Sequence, residues 1–272
     1  MYNILDVTYA RDLRTGKILP EHRTRVGGSY AGTEPDNGHC MKRVFYEEKL
    51  TLGRVTQEAG LSSPELPGFV YHSKLTEIEY VLTSDCLFTY PDGTKHITKA
   101  REVFLHKPNQ PHRLLSSDKE HVKLAVSFNG PSPDRVKWAP DAYYSQEGGH
   151  TCVYCPDMPN VETGIPNLEF RPIFEGPDHH SFAEVTLKPG CCIPLEDYQL
   201  FRNADQIILV TGPGNAIIEF PDKVYKLYDD VAVYIFAGQP YRLYNFTDSD
   251  LDAAVWLNTH YFKDAGRETV KL

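Results

Sequence analysis

Asn109-Gln110-Pro111-His112-Arg113-Leu114 returns later in the chain as Gly238-Gln239-Pro240-Tyr241-Arg242-Leu243, and this recurrence decides the reading of the fold. Two other stretches recur in the same order. Leu82-Thr83-Ser84 returns as Val210-Thr211-Gly212, and Tyr90-Pro91-Asp92 as Phe220-Pro221-Asp222. The separations are 129, 128 and 130 residues, so the three matches share one spacing and argue for a duplicated unit.

Within each copy the pattern is one of short β-rich runs divided by turns. The first copy has runs at 44–52, 78–82, 86–90, 96–98, 103–105 and 122–128. The second has them at 182–187, 207–210, 216–220, 231–236 and 253–257. Such spacing predicts a sandwich or barrel, and the absence of a long amphipathic helical period excludes most α/β enzyme folds. Seventeen Tyr, 13 Phe, 20 Pro and 19 Gly fit pleated, half-buried surfaces joined by many tight turns.

Residues 1–42 read as a polar, turn-rich arm, with Arg11, Arg14, Arg23 and Arg25, then Gly27-Gly28 and a turn run at 32–38. Residues 43–130 form the first unit. The Pro-, Gly- and Asp-rich stretch 131–178 reads as the connection, and 179–272 as the second unit with a C-terminal tail.

The net charge of −9, without a basic run, argues against nucleic-acid binding. No apolar stretch approaches the roughly 20 residues that span a bilayer, and Met1-Tyr2-Asn3-Ile4-Leu5-Asp6 lacks the pattern of a signal peptide, so no membrane association and a cytoplasmic location are expected. Six cysteines at 40, 86, 152, 155, 191 and 192 read as reduced thiols. Cys152-Val-Tyr-Cys155 with Cys191-Cys192 is a candidate structural zinc set, although adjacent cysteines chelate poorly. No nucleophile elbow, phosphate-binding loop or dinucleotide fingerprint occurs, which disfavours serine hydrolases, nucleotide hydrolases and dehydrogenases.

This duplicated pattern resembles the cupin superfamily, and specifically a bicupin. The resemblance implies an all-β fold of two tandem jelly-roll barrels preceded by an arm. Cupins bind a divalent metal through a His-x-His pair, a glutamate a few residues later, and a third histidine after a Pro and a turn. In the first repeat His72 falls on the second position of the pair, Glu77 on the glutamate and His112 on the last histidine, while Val70 occupies the first. The resemblance therefore implies a metal held by His72, Glu77 and His112. In the second repeat Glu196 and Tyr198 fall on the paired positions, Asp205 on the glutamate and Tyr241 on the last histidine, which implies a barrel without metal.

Two imidazoles and one carboxylate suit Fe, Mn, Ni or Zn, with Fe favoured, and leave open positions for a substrate and oxygen or water. Strand alternation turns Glu79 to the same face as Glu77, where it would serve as general base or fourth ligand. The leading expectation is a metal-dependent oxygenase acting on a small polar organic molecule. Isomerase, lyase or cyclase chemistry and a non-catalytic ligand-binding barrel are the alternatives. Family resemblance also implies a homodimer, with the arm covering a barrel edge of a neighbouring subunit.

Overall fold

The computed structural model describes residues 1–9, 11–18, 23–24, 39–57, 59–60, 62–64, 68–83, 86–116, 122–131, 135–138 and 151–271. Arg25, the turns at 27–28 and 32–38, Ser84 and the stretch 139–150 lie outside the described residues. The chain divides into two compact units, Glu21–Asp157 and a second made of Met1–Pro20 with Met158–Leu272.

Both units are built from antiparallel strands, as the period-2 runs predict. In the first, a seven-stranded sheet runs Thr151–Tyr154, Glu102–His106, Glu77–Val81, Val122–Phe128, Thr51–Gln57, His39–Tyr46, Arg23–Thr24. A four-stranded sheet, Lys95–Ile97, Cys86–Thr89, Arg113–Ser116, Ser62–Ser63, and the pair Phe69–His72 with Arg135–Trp138 complete the unit. The core of the barrel lies among side chains from several of these strands, with Val81, Phe88, Phe104, Leu114, Val126 and Phe128 in one buried cluster. The run expected as one strand over 44–52 is instead a hairpin, His39–Tyr46 with Thr51–Gln57. The charged Glu47-Glu48-Lys49 sits at its turn, where both charge and backbone reach water.

The second unit repeats the plan. Its seven-stranded sheet runs Leu168–Phe174, Ser181–Leu187, Leu251–Leu257, Gln206–Val210, Val231–Ile235, Tyr2–Asp6, Arg11–Asp12, and its four-stranded sheet Cys192–Ile193, Arg242–Tyr244, Ala216–Phe220, Lys223–Leu227. Tyr198–Phe201 pairs with Arg267–Val270.

The start of the chain departs from the expected arm. Tyr2–Asp6 pairs with Val231–Ile235 over five residues, so the first strand of the sequence is a strand of the C-terminal barrel of its own chain. The reason is apolar: Tyr2, Ile4, Leu5 and Val7 are buried, and the Tyr2 ring stacks on Phe220 at 3.6 Å. The Tyr2 hydroxyl also donates toward the Asp222 carboxylate at 3.1 Å. This segment is therefore committed to an edge in its own chain.

The expected connection over 131–178 also carries strands. Arg135–Trp138 and Thr151–Tyr154 belong to the first unit, and Leu168–Phe174 opens the second. Pro172 hid the last of these from the sequence, because proline removes a ladder donor. The strand accommodates it at the sheet edge, with a register shift between Pro172 and Phe174. Among the described residues no helix is long and apolar enough to cross a membrane.

Candidate metal centre

Alternation along Glu77–Val81 builds one wall of the site. Glu77 faces His106 on one neighbouring strand and Phe128 on the other, and Glu79 faces Phe104 and Val126. Side chains directly opposite on antiparallel strands share a face. Glu77 and His106 thus project together into the barrel, with Glu79 one step along.

The opposite wall comes from a turn. Asn109, at φ 64°, occupies the left-handed region that asparagine tolerates, and its N–H donates to the His72 carbonyl at 2.7 Å. The Lys107 N–H donates to Gln110 Oε1 at 2.7 Å, and Val70 and His112 exchange backbone hydrogen bonds at 3.0 and 2.9 Å. These contacts fix His72 and His112 beside each other at the end of the turn.

Two of the expected residues approach the third. His72 Nε2 and His112 Nε2 each lie 3.3 Å from Glu77 Oε2. His106, which the sequence reading left out, joins them: its ring stacks on that of His112 at 4.0 Å, and its Nε2 lies 3.5 Å from Glu79 Oε2. Glu79, His106 and His112 offer ligand atoms within 4.8 Å of one another. All five residues are buried, none more than 6 % exposed. His106 stands in Val103-Phe104-Leu105-His106, in phase with inward Phe104, so alternation alone pointed it inward.

The donor chemistry fits a divalent metal. His112 Nδ1 lies 3.1 Å from the Gln110 carbonyl, and donation there turns the Nε2 lone pair toward Glu77. A lone pair and a carboxylate oxygen 3.3 Å apart repel unless a cation lies between them. Burial holds the His106 and His112 imidazoles neutral, which is the metal-binding form. It lowers His106 to about 3, with help from His72, and His112 to about 4, where desolvation and His106 outweigh the attraction of Glu77 and Glu79.

A pH dependence follows. The folded values of both histidines lie below the unfolded 6.5, so the unfolded chain binds more protons between about pH 3 and 6.5, and stability falls as pH drops through that window. Buried His180, lowered to about 3 by desolvation, acts in the same sense in the other barrel. The metal-free protein is expected to lose on the order of 1 kcal/mol per pH unit for each histidine below pH 6.5. Urea midpoints at pH 7 and pH 5 measure it, and equal midpoints would refute the assignment.

Cys152 and Cys155 of the candidate zinc set belong to the first unit, and Cys191 and Cys192 to the second. Cys152 lies opposite Phe104, and its Sγ approaches His96 Nε2 at 3.7 Å, while His96 Nε2 is 2.9 Å from Glu102 Oε2. These three could also gather around a metal. Glu102 Oε2 already accepts the Lys99 N–H at 2.9 Å, and burial followed by Glu102 pushes the Cys152 thiol up to about 12. No group of three or more metal-ligating side chains among the described residues includes Cys155, Cys191 or Cys192.

The second barrel reproduces the frame with other residues. Gln206 faces Ile235 and Leu257, as Glu77 faces His106 and Phe128. Gln199 bridges Tyr241 as Val70 bridges His112, and the Gly238 N–H donates to the Phe201 carbonyl as Asn109 does to His72. His72, Glu77, Glu79, His106 and His112 therefore correspond to Phe201, Gln206, Ile208, Ile235 and Tyr241. The expected placements of Glu196, Tyr198 and Asp205 are displaced along the chain. Asp205 lies one residue early, and its carboxylate accepts the Tyr234 hydroxyl at 2.8 Å and the Ala237 N–H at 2.9 Å.

No protein-family model and no curated protein sequence matches the chain. Solved structures do. A variant of Bacillus subtilis oxalate decarboxylase superposes with a TM-score of 0.62 at 10% identity, over 89% of this chain and 78% of that one. A structure concerned with the Mn(II) centres of the same enzyme gives 0.60 at 11% identity over the same shares. A glyoxylate-induced protein from Pseudomonas aeruginosa gives 0.62 at 11% identity, over 82% of each chain. These likenesses span both units, and together with the internal correspondence of strands and turns they establish that the chain has the bicupin fold, two cupin barrels in tandem.

Proposed function

We propose that the N-terminal barrel is the active site of a metal-dependent enzyme acting on a small polar carboxylic or hydroxy acid by proton transfer or carbon–carbon cleavage. The observation that carries the reading is a buried group of three imidazoles and two carboxylates in which His72 and His112 flank Glu77, His106 stacks on His112, and Glu79 lies beside His106. His72, His106, His112 and Glu77 would hold the metal, since Glu77 lies against two of the imidazoles. When bound, the metal supplies Lewis-acid polarisation of a substrate oxygen.

Glu79 stands beside this set, 3.5 Å from His106, and moves the proton. Phe88, Phe104 and Phe128 surround the cluster and exclude water, which strengthens each electrostatic contact inside. The near-complete burial of the cluster favours a small substrate. The preference for oxygenation rested on a set of two histidines and one carboxylate. His106 adds a third imidazole, and the likeness to a decarboxylase fold weighs in the same direction. A homodimer remains part of the proposal, with gel filtration as its check.

The roles of the carboxylates separate by substitution. Glu77→Gln is expected to lose both metal and turnover. Glu79→Gln is expected to keep about one metal per chain and to lose about 100- to 10,000-fold in kcat, the usual contribution of a positioned general base. Metal-loaded protein with a panel of small di- and hydroxy-acids, followed by CO2 release, product isomers and O2 uptake, tests the reaction class. Stoichiometric O2 uptake would return the oxygenase reading, and binding without turnover across the panel would favour a ligand-binding module.

A further inference from the structure

The C-terminal barrel keeps the frame of the metal site and replaces its contents. At the place corresponding to the histidine and glutamate cluster lies a cavity of about 460 Å³, within the range of roughly 300–1,000 Å³ that holds small organic ligands. None of the residues that line it is a His, Cys, Asp or Glu, so it has no metal-ligating set. Its walls are apolar, formed among others by Phe170, Ile208, Leu243 and Val255.

Polar groups are few and grouped. Tyr241, at the position of His112, donates its hydroxyl to Gln206 Oε1 at 2.6 Å, and Gln206 stands at the position of Glu77. With its oxygen so used, Gln206 can offer a ligand its amide N–H groups. Two cations, Lys263 and Arg267, line the cavity and are themselves exposed, which places them at its mouth. Arg267 is aimed: its Nε donates to Gln199 Oε1 at 2.8 Å, and its strand pairs with Tyr198–Phe201. Gly266, at φ 65°, turns the chain between the two cations, and a Cβ there would meet Asn203 at 2.8 Å.

We propose that this barrel binds a small apolar carboxylic acid without metal. The hydrocarbon chain or ring would lie between Ile208, Leu243 and Val255, and the carboxylate at Lys263 and Arg267. Apolar walls supply affinity by removing hydrocarbon from water, and the two cations choose an anion for the wetted end. The inference does not depend on the activity of the first barrel.

The test is calorimetric titration of the full chain with 3-phenylpropanoate and with its neutral amide. The expected result is saturable one-to-one binding of the acid, at least tenfold tighter than the amide. Binding of the acid is expected to persist in a His72→Ala, His112→Ala double variant, which excludes the first barrel as the site. Ile208→Trp, which fills the cavity, is expected to abolish it. Leu243→Phe, a milder filling, serves if the first variant does not melt cooperatively. Arg267→Glu with Lys263→Glu is expected to weaken the acid about tenfold and leave the amide unchanged. Three outcomes would overturn the proposal: no saturable binding of the acid, binding lost in the histidine variant, or equal affinity for acid and amide.

Discussion

His106→Leu is expected to reduce the metal bound after dialysis from about one divalent ion per chain to none, with turnover falling at least 100-fold. Leucine puts an apolar side chain of related size against Phe88 and Phe104, so the barrel should fold and the loss should report the imidazole. Altering a group that merely supports a metal ligand costs about 10–100-fold in affinity, and removing a ligand should cost more. His260→Ala is the control, because His260 lies in the other unit, where its Nδ1 is 2.9 Å from the His179 carbonyl. Elemental analysis of both variants beside wild type and the His72→Ala, His112→Ala double variant decides the matter. Full metal occupancy in His106→Leu would remove His106 from the ligand set, and no metal in any reconstituted form would remove the metalloenzyme reading.

Deletion of residues 1–8 is expected to unfold the C-terminal barrel while the N-terminal barrel stays folded. The deletion uncovers one edge of Val231–Ile235 and removes the buried side chains of Tyr2, Ile4, Leu5 and Val7. At about 1.5–3 kcal/mol for each large apolar side chain, the loss is comparable with the whole stability of an ordinary domain, about 5–15 kcal/mol. Ile4→Ala, which leaves the ladder in place, should cost about 2–5 kcal/mol. Trp256 is fully buried in this barrel, so its fluorescence in a Trp138→Phe background follows the unfolding of that unit. A truncated chain in which Trp256 keeps its wild-type urea midpoint would show that the strand is dispensable.

Several features of the protein were written locally in its residues. Strand alternation and turn residues announced the β-class, since a half-buried pleated surface imposes a period of two on any sequence that forms it. The recurrence of Asn109–Leu114 as Gly238–Leu243 announced the duplication, and it holds because both copies need a residue that accepts positive φ, at 64° and 77°, before the same bridge. Glu77 with Glu79 on one face was legible for the same reason, whereas His72 and His112 were grouped with Glu77 only through the resemblance of their spacing to the cupin pattern.

Other features depended on which strands become neighbours. His106 enters the site only because Glu102–His106 pairs with Glu77–Val81 in a register that sets it opposite Glu77. The one-residue displacement that turns Asp205 away and Gln206 inward is likewise invisible until the ladder is formed, because a shift of one exchanges the faces of a strand. The first strand reached an edge more than 220 residues away, and no local pattern encodes a partner at that distance. Sequence by itself determined the β-class, the duplication and the residue types able to bind metal. Tertiary pairing decided which side chains share an interior, and so why one barrel gathers imidazoles and carboxylates while the other keeps an apolar cavity.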